Sequence, residues 1–234
     1  MDPLKRDARI AGLLYLSLVL TGPFILLYVP AKLFVAGDAG ATAANILAHQ
    51  SLFRAWIAVS VVSELAFVAT VLALYRLLAR AGTTLAAIMV ILVVLSAPAA
   101  FLGIANDVAT LSILRGGEFL SAFSAAQRSA LATLLITFEQ RGMIISEVFW
   151  GLWLLPLGVL VIRSGFIPRF IGAWLLVNGV TYVAISATGL WAPDYWRPVS
   201  SYATPLLLGE VALMVWLVAV GARPARLSIA HASA

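Results

Sequence analysis

Apolar positions in this chain gather into long runs separated by short polar breaks, and neither strand alternation nor the spaced stripe of a soluble amphipathic helix dominates. Residues 10–31 carry no charge over 22 positions, with Gly22-Pro23 expected to bend the run. A bilayer-crossing helix needs about 20 mostly apolar residues, so this is the first predicted span. A signal peptide would have a shorter apolar stretch, roughly 7 to 15 residues, and a small-residue cleavage site. Residues 32–53 hold Asp38 and His49 and are too polar to cross. The second span is predicted at 55–75, with Glu64 inside. Gly82-Thr83-Thr84 then turns tightly into a third at 85–106, which contains Pro98. Further runs at 143–162 (with Glu147 and Pro156), 170–191 (with Asn178) and 203–222 (with Glu210) predict three more.

Between the third and fourth spans the pattern changes. Over 118–141, Phe119, Leu120, Phe123, Leu131, Leu134, Leu135 and Phe138 recur at three- and four-residue steps. Ser121, Ser124, Arg128, Ser129, Thr137 and Gln140 fill most of the remaining positions. That spacing predicts an amphipathic helix lying in the interface plane or capping the bundle; an ordinary loop helix stays open as the other reading. Residues 227–234 form a tail. The fold class is therefore all-α: one polytopic domain over residues 1–226, with six transmembrane helices and an amphipathic outer helix.

Composition agrees. The chain is 63% hydrophobic and 11% charged over 234 residues, whereas soluble domains run near 45 to 50% and about 25%. A water-soluble globule is excluded because too few polar groups exist to cover one. With no cysteine, disulfides, thiolate metal ligands and cysteine catalysis are excluded as well. The two histidines are His49 and His231, the second in the tail, so no histidine cluster can hold zinc within the membrane.

A net charge of +5 invites a nucleic-acid reading, but the basic residues sit at the ends of apolar runs, which is topology information. Lys5, Arg6, Arg9, Arg76, Arg80, Arg163, Arg169, Arg223 and Arg226 fall on one side in short turns. Lys32, Arg54, Arg115, Arg128, Arg141 and Arg197 fall on the other, spread over longer loops. The positive-inside rule then predicts a multi-pass inner (cytoplasmic) membrane protein with both termini in the cytoplasm. The expected partner is the lipid bilayer, and no nucleic acid is expected. Protein partners and oligomeric state are not specified.

The stretch Gly142-Met-Ile-Ile-Ser-Glu147-Val-Phe-Trp-Gly151-Leu-Trp-Leu-Leu-Pro156-Leu-Gly158, followed by Arg163-Ser-Gly-Phe-Ile-Pro168-Arg-Phe-Ile-Gly172, resembles a bacterial membrane family catalogued as domain of unknown function 4386. Arg9-Ile-Ala-Gly12-Leu-Leu-Tyr15 and Gly209-Glu210-Val-Ala-Leu-Met-Val-Trp216-Leu look like that family's ends. The resemblance implies a single six-span domain and brings no activity with it.

The chemistry that stands out is acidic. Glu64, Glu147 and Glu210 lie inside apolar spans, where a charged side chain costs roughly 2.5 to 3.5 kcal/mol on insertion scales, so each is expected to face the protein interior. Asp107, next to Asn106, ends the third span. These four acids are predicted at comparable outer depth, lining one outward-open pocket for protons, a small cation or an amphipathic ligand. His49, Asn106 and Asn178 are candidate accessory groups. Which metal, if any, such a pocket would take is left open, and no cofactor or catalytic residue is indicated. The simplest alternative is that each acid is a protonated carboxyl hydrogen-bonded to a neighbouring helix through Ser60, Ser63 or Asn178, serving only packing. Three function classes follow: binding or transport through the pocket, a non-catalytic accessory or sensor protein, and an intramembrane metal-dependent hydrolase. Enzyme activity is not favoured.

Overall fold

A computed structural model describes residues 3–222, and among them every regular element is helical. Arg223, Arg226, His231 and the tail at 227–234 lie outside the described residues, as does the side chain of Phe119.

Among the described residues six helices are long and apolar enough to cross a membrane: α1 (Pro3–Leu33), α3 (Gln50–Ala81), α4 (Thr83–Arg115), α5 (Ala125–Ser164), α6 (Arg169–Trp191) and α7 (Pro193–Ala219). The shorter α2 (Ala39–Ala48) begins at Asp38, whose side chain accepts from Ala41 N at 2.8 Å. Neighbours in space form a closed ring, α1–α3–α4–α5–α6–α7 and back to α1, while α2 sits on the ends of α4 and α5. We name the end of the bundle carrying α2 outer and the end carrying Pro3 inner.

The expectation for 118–141 needs correcting. After a single short turn at Glu118–Leu120, the helix that starts at Ala125 runs without interruption through Arg141 and Gly142 to Leu152. Its first half therefore prolongs the fourth span and is not a separate helix in the interface plane. Ser124 starts it with a capping box, its hydroxyl accepting from Gln127 N while the Gln127 side chain accepts from Ser124 N. Nothing between that cap and Leu152 breaks the ladder, because Gly142 costs a helix only about 1 kcal/mol. Ala132 and Ile136 face inward, while Leu134 and Phe138 are exposed. At about 1.5 Å per residue, α5 reaches about 60 Å, twice the hydrocarbon thickness.

Irregular turns occur where proline removes a donor. Between Pro23 and Pro30, α1 widens into a π-turn over Phe24–Tyr28. In that geometry residue 30 would donate to the Ile25 carbonyl, which proline cannot do; Trp56 Nε1 of α3 donates to it instead at 3.2 Å. In α5 the regular ladder breaks at Trp153, three residues before Pro156. In α7 a 3₁₀ stretch, Thr204–Leu208, precedes the regular helix that starts at Gly209.

Two cores result. The larger one fills the inner half around Trp153, Leu154, Leu157, Leu74, Met89, Leu175 and Leu217. A smaller core caps the outer end, where Leu33, Ile46, Phe53, Trp56, Leu114 and Ile136 bring five helices together. Glycines set the closest crossings. A Cβ built on Gly158 would lie 2.8 Å from the Gly172 carbonyl oxygen, and one on Gly172 would lie 2.6 Å from that of Gly158. Gly151 and Gly179 repeat the arrangement two turns away, so α5 and α6 meet backbone to backbone.

Candidate functional site

Glu210 occupies the first turn of the regular helix in α7, directly after the 3₁₀ stretch. That stretch leaves carbonyls without helical partners, and α6 supplies the donors: Trp174 Nε1 to Leu206 O and Asn178 Nδ2 to Leu207 O, both at 3.1 Å. Gly209 lets Trp174 close in, since a Cβ there would sit 3.2 Å from the indole. The backbone that presents Glu210 is thus locked by two α6 side chains. From α1, Tyr15 Oη donates to Glu210 Oε2 at 2.6 Å, and Asn178 lies close enough to interact with the same carboxyl group. Asn178 is fully buried, and its Oδ1 has no hydrogen-bond partner.

Tyr182, one turn outward from Asn178 on α6, lies within electrostatic range of both Glu210 and Glu147. Its ring meets Trp150 edge-on at 6.0 Å. Glu147 projects from α5 with its Oε2 buried and without a hydrogen-bond partner. Below this group Trp153 closes the centre of the ring of helices, against Tyr15 at 6.2 Å and Phe67 at 5.3 Å.

The remaining acids lie elsewhere. Glu64 of α3 keeps Oε1 buried and unpartnered, and no other acid influences it. Asp107, 2% exposed, meets Glu139 of α5 as a hydrogen-bonding partner, carboxyl to carboxyl. Gly103, one turn inward on α4, makes the room: a Cβ there would be 3.4 Å from Glu139 Cγ. Two ionised carboxylates have only acceptors to offer each other, so the contact requires a proton between them.

The four predicted acids are therefore not one cluster. By helix rise, Asp107 stands about 36 Å from the start of α4 and Glu210 about 14 Å from the end of α7. Both of those ends are at the inner side, so the expected common depth does not hold. Glu147 and Glu210 have Tyr182 as a common neighbour, Asp107 joins Glu139, and Glu64 stands by itself. His49 is exposed and its Nδ1 donates to Asn45 O at 3.0 Å, at the end of its own helix. Asn106 is half-buried. Among the described residues no three His, Asp or Glu side chains approach closely enough to share a metal ion.

The family model described as a domain of unknown function, DUF4386, matches residues 10–221. The chain belongs to that family. No curated protein and no solved structure matches it. The DUF4386 match reaches from the first of the six long apolar helices to the last.

Three participants escaped the reading of the sequence. Glu139 stands among the polar Thr137, Gln140 and Arg141, yet it continues the spacing of the buried Ala132 and Ile136. Tyr15 follows Ala8, Ala11 and Gly12 on a small-residue stripe, which is the pattern that brings α7 close. Tyr182 carries no signal beyond its step of four from Asn178.

Proposed function

We propose that this DUF4386 protein binds protons entering from the outer end of the bundle and holds them on Glu147 and Glu210, with Tyr182 between the two, as part of binding or moving a small cation or amphipathic ligand. The observation that carries this reading is Glu147 Oε2, buried and without a hydrogen-bond partner beside a tyrosine that also senses Glu210. A carboxyl group used only for packing is expected to have its oxygens satisfied. Protons suit the arrangement better than a multivalent ion, because the acids stand in ones and twos and a metal needs three or more converging ligands. The Asp107–Glu139 pair lies on the outer side of Glu147 along α5. The basic residues at the inner ends support placing both termini in the cytoplasm of an inner membrane.

The packed ring around Trp153 favours a second reading, a non-catalytic accessory or sensor protein whose acids stay protonated and serve packing alone. Vesicles of phosphatidylcholine loaded with a pH-sensitive dye separate the two. The reconstituted protein is expected to speed the decay of an imposed pH gradient severalfold over empty vesicles. E147Q and E210Q are expected to remove that effect, while the exposed Glu118→Gln leaves it intact. Decay no faster than in empty vesicles overturns proton movement and leaves the accessory reading.

A further inference from the structure

At the outer end, α3 and α4 enclose a groove of about 350 Å³ lined by Arg54, Ile57, Ala58, Val108, Leu111, Ser112 and Arg115. None of the carboxyl groups described above lines it, and it has its own chemistry. Its rim holds two guanidinium groups, and its walls are aliphatic. Among the described residues no acidic side chain forms an ion pair with Arg54 or Arg115, and both are exposed.

We propose that this groove is a binding site for one anionic phospholipid, with the phosphate held between Arg54 and Arg115 and an acyl chain lying between α3 and α4. Depth supports the placement. Arg76, near the inner end of α3, and Arg54 are 22 residues apart, about 33 Å, which matches a hydrocarbon core of about 30 Å. Arg54 therefore stands at headgroup level when Arg76 does so on the opposite side. The apolar wall also continues in the direction an acyl chain would take. From Ala58 it runs to the exposed Val62 and Leu65 on α3, and from Val108 to the exposed Ala105 and Phe101 on α4. Two planar, permanently charged forks facing one site match a phosphodiester, while the Ser112 hydroxyl donates to the Val108 carbonyl of its own helix at 2.9 Å. A net negative headgroup is preferred to a zwitterionic one, because a choline or ethanolamine cation would be brought against two arginines that have no acid beside them.

The test is native mass spectrometry of the delipidated full-length protein titrated with phosphatidylglycerol, phosphatidylcholine or inorganic phosphate. The expected result is one retained phosphatidylglycerol, bound at least tenfold more tightly than phosphatidylcholine and not displaced by millimolar phosphate. The double variant R54Q/R115Q is expected to lose that preference. R54K/R115K is expected to keep part of it, and R76Q/R80Q at the inner end to leave it unchanged. Equal retention of the two lipids, displacement by phosphate, or undiminished phosphatidylglycerol binding in R54Q/R115Q would each overturn the proposal. Circular dichroism of every variant establishes that a loss is not one of folding.

Discussion

Tyr15 and Glu210, 195 residues apart in the chain, are joined by a 2.6 Å hydrogen bond that closes the ring of helices between its first and last members. Gly12, one turn from Tyr15, makes the approach feasible: a Cβ there would lie 2.8 Å from Val218 N on α7. Close backbones and a buried polar clasp thus occur at the same crossing. Removing the tyrosine hydroxyl leaves a buried carboxyl group with one partner fewer, at a cost of roughly 1 to 3 kcal/mol. Y15F is expected to lower the thermal midpoint in detergent. E210Q retains an acceptor for the hydroxyl and is expected to change it little. Equal midpoints for Y15F and the wild type would show that the clasp contributes nothing.

The glycine crossing of α5 and α6 permits a sharper contrast. At Gly158 and Gly172 an added methyl group meets a carbonyl oxygen within 2.8 Å, whereas at Gly142 nothing lies within 4 Å. Alanine at either crossing position is expected to cost about 1 to 3 kcal/mol through overpacking. Alanine at Gly142, in the same helix, is expected to be neutral or to gain up to about 1 kcal/mol from helix propensity. Unfolding midpoints of G158A, G172A and G142A, measured side by side, check the ranking.

Hydropathy made the spans legible, because in lipid a backbone must satisfy its own hydrogen bonds and long uncharged runs have few alternatives to a helix. The same logic marked Glu64, Glu147, Asn178 and Glu210 as inward-facing candidates. Helix order around the ring was not legible: any two apolar helices can be neighbours as far as hydropathy is concerned, and the contacts that decide are glycines against carbonyls. The pairing of Asp107 with Glu139 was hidden for a related reason. Polar residues around Glu139 suggested water, whereas burial there is set by α4 packing along the first half of α5. The π-turn of α1 and the 3₁₀ stretch of α7 depend on which distant side chain, Trp56 or Asn178, takes up a stray carbonyl, and no local pattern encodes that.

Orientation is testable because the chain has no cysteine of its own. Single cysteines at Gly40, Gly117 and Asp194, all at the outer end, are expected to react in intact cells with an impermeant thiol reagent. One at Gly82, in the inner turn between α3 and α4, is expected to react only after the membrane is opened. The opposite labelling pattern would reverse the assignment of the termini.

Asp107 and Glu139 bear on both folding and chemistry. Their carboxyl groups meet at a site where Asp107 is 2% exposed and its Oδ1 has no hydrogen-bond partner, and a contact between two such groups holds only with a proton between them. An amide in place of either acid supplies the donor permanently. D107N and E139Q are therefore expected to fold with stability equal to or above that of the wild type at neutral pH. D107A and E139A, which leave the surviving acid buried with one partner fewer, are expected to lose roughly 1 to 3 kcal/mol. The infrared carbonyl band of a protonated carboxyl group gives an independent readout: it should be present in the wild type and weakened in both amide variants. If the amide variants unfold as readily as the alanine variants, or if that band is unchanged by D107N and E139Q together, the two acids do not share a proton and α4 and α5 are held at their outer ends by the apolar cap alone.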